Sequence, residues 1–169
     1  MSDVAFIVLA RAIHVMSGVT WAGAVFVLAT VITPVSVAKD SDIPEPRLAT
    51  IARRAGALAG ISALLTVLSG VYLFAVLHAH DNSISGLVLK SGATAALLSM
   101  AVGFLISRPA GLGVARLYAN RDGTALSQEA IQQLSRLRTR SVLSVRLAAA
   151  LLAFAVLAMA VFRYAAAVG

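Results

Sequence analysis

Four stretches of this chain stay apolar for the length of helix that crosses a bilayer, and no motif within it restricts the fold as strongly. A hydrocarbon core about 30 Å thick takes roughly 20 residues of α-helix. In lipid every backbone polar group must be satisfied inside its own segment, so spans of this length have to be helical. The runs lie at about residues 5–37, 55–78, 86–107 and 142–168. Of 169 residues, 12% are charged and 60% hydrophobic, where an average soluble domain carries about 25% charged residues. The expected fold is all-α, an integral membrane four-helix bundle forming a single domain over residues 1–169. The first run is longer than a signal-peptide core and has no basic lead, so it reads as a span and not as a leader.

The ends of these runs carry their own signals. Proline lacks an amide hydrogen and crowds the preceding turn, so Pro109 is expected to stop the third helix. Further on, Ser127 followed by Glu129 reads as an N-cap with an acid in the first turn. Ile131, Leu134 and Leu137 then alternate with Arg136, Arg138 and Arg140. This spacing predicts a helical extension over about 128–141 that continues into the fourth span. Its basic face suits anionic headgroups on the cytoplasmic side of a membrane.

The charge balance sets a direction. Lys and Arg number 14 against 7 Asp and Glu, and the isoelectric point is near 11.1. A basic chain can bind nucleic acid, but here the cations sit between apolar runs, which is a topology signal, and no nucleic-acid partner is expected. Lys39, Arg47, Arg53 and Arg54 fall in or beside the first connection. Arg108, Arg116, Arg121, Arg136, Arg138, Arg140 and Arg146 fall in the third, while the second, around His78 to Ser85, has no Lys or Arg. The positive-inside rule then places connections one and three in the cytoplasm and both termini on the outer side. The Ala-rich, Cys-free composition is compatible with a bacterial inner membrane.

Three cations remain, Arg11, Lys90 and Arg163, each on a different span. Counted at about 1.5 Å per residue, all three belong to the same outer layer. His78 and His80 end the second span in that layer, and His14 lies one turn deeper than Arg11. Cations near helix ends snorkel to headgroups without any function, which is explanation enough for Arg11 or Arg163 alone. His78 and His80, beside Asp81, read equally well as surface residues. His14 and Lys90 are deeper, where an ionisable side chain usually faces the bundle interior. Arg11, His14, Gly18, Trp21 and Val25 share one helix face, and Gly18 leaves room there for a neighbour or a flat ligand.

The spans contain no Asp, Glu or Cys. That removes thiolate metal sites, the acid of a Ser–His triad and the carboxylates of most acid–base enzymes, so no catalytic residue is assigned and enzymatic activity stays open. Met1, Met16, Met100 and Met159 are scattered and support copper only thinly. Haem suits the layer better, because iron takes axial nitrogen, the macrocycle is apolar and its propionates pair with Arg or Lys. The expected cofactor is therefore a haem in the outer half of the bundle, serving electron transfer or porphyrin handling. His14 would ligate iron, with Lys90 or failing that His78 opposite. Arg11 and Arg163 would hold propionates, and Gly18 and Trp21 would line the same wall. Two alternatives stand beside this. One is copper or another ion at the outer His group. The other is a non-catalytic subunit of a homo-oligomer or larger membrane complex, packed through Gly56-x-x-x-Gly60 and the small residues from Ser91 to Ala96.

The segments "RAIHVMSGVTWAGAVF", "RRAGALAGISALLTVLSGVYLF", "GLVLKSGATAALL" and "LAMAVFRYA" resemble the four spans of the copper-resistance protein D-like and HemJ-like membrane proteins. The shared marks are a first-span His followed seven residues on by Trp, a Gly-x-Tyr-Leu in the second span, a lysine after a short apolar lead in the third, and a Met and basic residue ending the fourth. The resemblance implies a four-helix membrane fold. For the HemJ-type branch, a protoporphyrinogen oxidase, it implies haem b binding with His14 and Lys90 as the functional pair; for the other branch it implies copper uptake. The chain lacks the HemJ-type branch's aromatic-rich first span and tryptophan-bearing lead to the lysine, and its third connection is long and basic.

The orientation has a direct check. In Asn82→Cys, an otherwise Cys-free chain, a membrane-impermeant thiol reagent should label intact cells from outside. Labelling only after the cytoplasmic face is opened would reverse the orientation.

Overall fold

In the computed structural model, residues 3–37, 45–79, 81, 83–119 and 127–165 are described. They form α1 (Asp3–Val27), α2 (Thr33–Val37), α3 (Glu45–Leu77), α4 (Ile84–Val102), α5 (Arg108–Ala119) and α6 (Gln128–Ala165). Two π-helical turns, Leu28–Ile32 and Gly103–Ser107, join α1 to α2 and α4 to α5. The result is four rods, each long and apolar enough to cross a membrane: Asp3–Ser36, Arg47–Leu77, Ile84–Leu117 and Gln128–Ala165.

The third rod does not stop at Pro109. It widens into a π turn over Gly103–Ser107 and continues as α5. A π turn shifts the hydrogen-bond register by one residue, so the proline, which has no hydrogen to donate, falls where the register has already slipped. The first rod repeats the device: the π turn at Leu28–Ile32 is followed by Thr33 and then Pro34. At Thr33 both the amide and the hydroxyl turn back to the Leu28 carbonyl, the hydroxyl at 2.6 Å. Between the third and fourth rods, Ser127 caps α6 through its hydroxyl, which accepts from the Ala130 amide at 3.2 Å.

The rods associate as two antiparallel hairpins, α1 along α3 and α4 along α6. In the second hairpin the pairing runs from Gly92 against Ala155 and Ala158, through Ser99 donating to the Ala148 carbonyl at 2.9 Å and Ser107 donating to Ser144 at 3.0 Å, to Gly113 against Leu137. The basic connection therefore contributes packed structure, with Ala110 and Leu134 buried under it. The hairpins meet through a core of Trp21, Val25, Ala29, Ala59, Ala63, Ala95, Ala96, Ala148, Leu152 and Ala155.

This core is dominated by alanine, and the buried polar residues are Ser17, Ser62, Thr66, Ser99 and Ser144. Many large apolar side chains, among them Leu68, Leu87, Leu105 and Leu157, point outward. A soluble protein arranges these the other way. In lipid there is no hydrophobic gain from burying leucine, and small residues let helix backbones approach closely.

Glycine marks the closest approach in the second hairpin. A Cβ at Gly92 would lie 2.8 Å from the Ala158 Cβ and 3.3 Å from the Ala155 carbonyl oxygen. Of the Gly56-x-x-x-Gly60 pair, a Cβ at Gly60 would meet only the Phe104 ring, at 3.6 Å, and one at Gly56 would meet nothing within 4 Å among the described residues. Gly92→Val should therefore lower the melting temperature in detergent, by the equivalent of about 1–3 kcal/mol for overpacking, whereas Gly56→Val should leave it unchanged. Thermal unfolding followed by circular dichroism compares the two; equal effects would contradict the assigned packing.

Candidate functional site: a histidine seam and a capped loop

Along α3, Ser62, Thr66, Ser69 and Gly70 recur at helical spacing and give α1 a small, polar groove to lie in. Into it project His14, Ser17 and Gly18. The single hydrogen of the Thr66 hydroxyl is shared between two acceptors, Ser17 Oγ across the seam at 2.9 Å and the Ser62 carbonyl of the same helix at 2.7 Å. Gly18 sits over the Thr66 methyl, where a Cβ would make ordinary contact at 3.6 Å.

His14 is the ionisable member of the seam. Its Nδ1 lies 2.8 Å from the backbone carbonyl oxygen of Thr66. A carbonyl only accepts, so Nδ1 carries the hydrogen, and in the neutral ring the lone pair is on Nε2. Ser69 Oγ lies 3.4 Å from the same Nδ1, but its hydroxyl is directed to the Leu65 carbonyl at 2.6 Å. Gly70 makes the space: a Cβ there would stand 2.8 Å from the His14 Cε1 and 3.1 Å from Nδ1. Nε2 has no hydrogen-bond partner among the described residues, and the ring is half-buried.

Lys90 is oriented differently. It belongs to α4, in the other hairpin, and its Nζ donates to the Asp81 backbone carbonyl at 2.8 Å in the connection between α3 and α4. That connection is tightly built. Ser83 caps α4 by accepting from the Gly86 amide, and both its amide and its hydroxyl donate to Asp81 Oδ1, at 3.0 and 2.6 Å. Gly86 is required here, because a Cβ would stand 2.5 Å from the Asp81 carbonyl oxygen. The Ser83 hydroxyl, then its amide, hold the Asp81 carboxyl below the usual carboxylate range; desolvation opposes this, and His78 and Lys90 add favourable charge. His78 closes the second rod with its ring edge-to-face on Phe162 of α6, at 5.9 Å.

The sequence-derived candidates thus divide into groups. His14 and Gly18 share the α1–α3 seam, and Trp21, two turns from His14 on the same face, is buried in the central core. Lys90 and His78 lie about the Asp81 connection. Arg11 and Arg163 are exposed, and His80 lies outside the described residues. Ser17, Thr66 and Gly70 were not singled out from the sequence, although the small and polar period along α3 is legible in it. Among the described residues no three or more His, Asp or Glu side chains gather around a possible metal position. The chain matches no family model, no curated protein and no solved structure.

The capped connection predicts a pH dependence. A carboxyl with a lowered value in the folded state contributes stability above its unfolded value and loses it as pH falls through the lowered one. Melting of the wild type in detergent should therefore fall on acidification through the carboxylate range, and Asp81→Asn should flatten that part of the curve. Ser83→Ala should cost about 1 kcal/mol at neutral pH by uncapping α4. An unchanged acid limb in Asp81→Asn would show that other carboxyls govern it.

Proposed function

We propose that the chain is a multi-pass protein of a bacterial inner membrane, with both termini outside, that holds haem b in the outer half of its bundle through His14 Nε2. The observation that carries this reading is the hydrogen bond from His14 Nδ1 to the Thr66 carbonyl. Metal-ligating histidines characteristically give their second ring hydrogen to a carbonyl or carboxylate, which fixes the tautomer and aims the other nitrogen. Gly70 holds the ring in place without a side chain of its own.

The donor set favours haem over a bare ion. Copper or zinc needs several protein ligands, and no such group forms among the described residues. Haem would bring most of its iron's ligands itself and would need only one or two nitrogens from the protein. Lys90, as an ammonium bonded to the Asp81 carbonyl, suits a propionate. To act as a second iron ligand it would have to lose its proton and leave that carbonyl. Arg11 and Arg163 are exposed at the same end of the rods and suit propionates as well. Bound haem would supply one-electron exchange at iron. The chain's part is to orient one imidazole, exclude water with its apolar walls and neutralise two carboxylates. A second reading, a non-catalytic subunit of a membrane complex, draws support from the open face at Gly56.

Protein made with haem supplied and purified in mild detergent should show a Soret band and reducible α/β bands. His14→Ala should abolish or strongly alter them, Lys90→Ala should change the spectrum less, and Arg11→Ala should mainly lower haem retention. A wild-type spectrum and haem content in His14→Ala would remove His14 as the ligand. A colourless wild type would leave the subunit reading.

A further inference from the structure

A groove of about 450 Å³ opens on the outside of the bundle between the first and fourth rods, at the opposite end from His14. Its volume falls in the range of small-ligand sites, roughly 300–1,000 Å³. One wall is the π turn and its flanks, with Phe26, Ala29, Thr30 and Pro34. The other is a face of α6 that begins at Arg146 and continues through Ala150. We propose that this groove is a binding site for an anionic phospholipid, with the phosphate on the Arg146 guanidinium and an acyl chain lying over Ala150 and Phe26.

Two independent observations identify the occupant. The first is charge. Arg146 is exposed at the mouth of an otherwise apolar groove and has no acidic partner among the described residues. It continues the basic series of Arg136, Arg138 and Arg140 at the end assigned to the cytoplasm. Basic pockets between transmembrane helices on that side suit anionic headgroups. The second is the backbone of the π turn. The Thr33 amide goes to Leu28, Pro34 has no amide hydrogen, and the Thr30 hydroxyl is bonded to the Phe26 carbonyl at 2.7 Å. The Ala29 carbonyl therefore receives neither of the donors its helix would normally give it. In a hydrocarbon setting that vacancy is costly, and the glycerol hydroxyls of a headgroup such as phosphatidylglycerol offer hydrogens to fill it. A zwitterionic lipid brings its own cation beside the phosphate and is the poorer fit to an unpaired guanidinium. The proposal depends on the membrane orientation and not on haem.

The test is native mass spectrometry of the full chain, stripped of lipid in neutral detergent and offered equal amounts of phosphatidylglycerol and phosphatidylcholine with the same acyl chains. The wild type should retain phosphatidylglycerol roughly tenfold better, because the choline ammonium of phosphatidylcholine competes with Arg146 for the phosphate. Arg146→Gln should bring the two lipids near parity, and Arg146→Lys should keep most of the preference. Ala150→Leu, which fills the groove, should reduce retention of both lipids. Arg140→Gln, one and a half turns away, should keep the wild-type ratio. All of these positions are exposed, so unchanged melting without lipid is expected. The proposal is overturned if Arg146→Gln keeps the preference, if Arg140→Gln loses it equally, or if Ala150→Leu retains lipid as the wild type does.

Discussion

A polar hydrogen inside an apolar bundle has to be taken up by the bundle itself, because neither water nor lipid tails will accept it. The rest of this structure follows from that constraint. With no Asp or Glu in the spans, the acceptors available are hydroxyls and backbone carbonyls, and each hairpin is joined by bonds to them. Thr66 to Ser17 and His14 to the Thr66 carbonyl fix α1 on α3. Ser99 to the Ala148 carbonyl and Ser107 to Ser144 fix α4 on α6. Individually such bonds average under 1 kcal/mol in membrane proteins. Their larger effect is on register, since a slip of one residue would break every one of these bonds between rods.

The two π turns that precede prolines matter for a related reason. A proline within a rod must release a carbonyl somewhere, and the register shift decides which one. Beside Pro34 the released carbonyl belongs to Ala29, a residue that lines the outward groove headed by Arg146. The same chemistry that relieves the helix thus leaves a carbonyl without its usual helical donor in a residue of that groove. In the third rod the shift lets the helix pass Pro109 and carry Ala110 and Gly113 against the start of α6.

Runs of 20 or more apolar residues determine helix and span together, so the four rods and the helix beginning at Gln128 were readable from the sequence. Pro109 was expected to end a helix because its usual cost assumes an undisturbed α register, and nothing in the sequence marks a π turn. The face of His14, Gly18 and Trp21 was readable from period alone. Its partners Thr66 and Gly70 were not, since serines, threonines and glycines carry no signature until the pairing of rods is known. Lys90 shows a further limit: depth along the helix put its Cα inside the layer, but the long side chain carries the ammonium back to the Asp81 carbonyl.

The central claim is that the seam holds the His14 imidazole with Nδ1–H on Thr66 and Nε2 open, which is the arrangement a haem iron would use. Nitrogen-15 NMR of histidine-labelled protein in lipid nanodiscs, prepared without haem, reports this directly. His14 is assigned by the signal lost in His14→Gln. The account predicts a protonated Nδ1 and an unprotonated Nε2 for this residue, with the pattern disturbed by Gly70→Ala, which crowds the ring. A protonated Nε2 with a bare Nδ1, or a signal indifferent to Gly70→Ala, would contradict it.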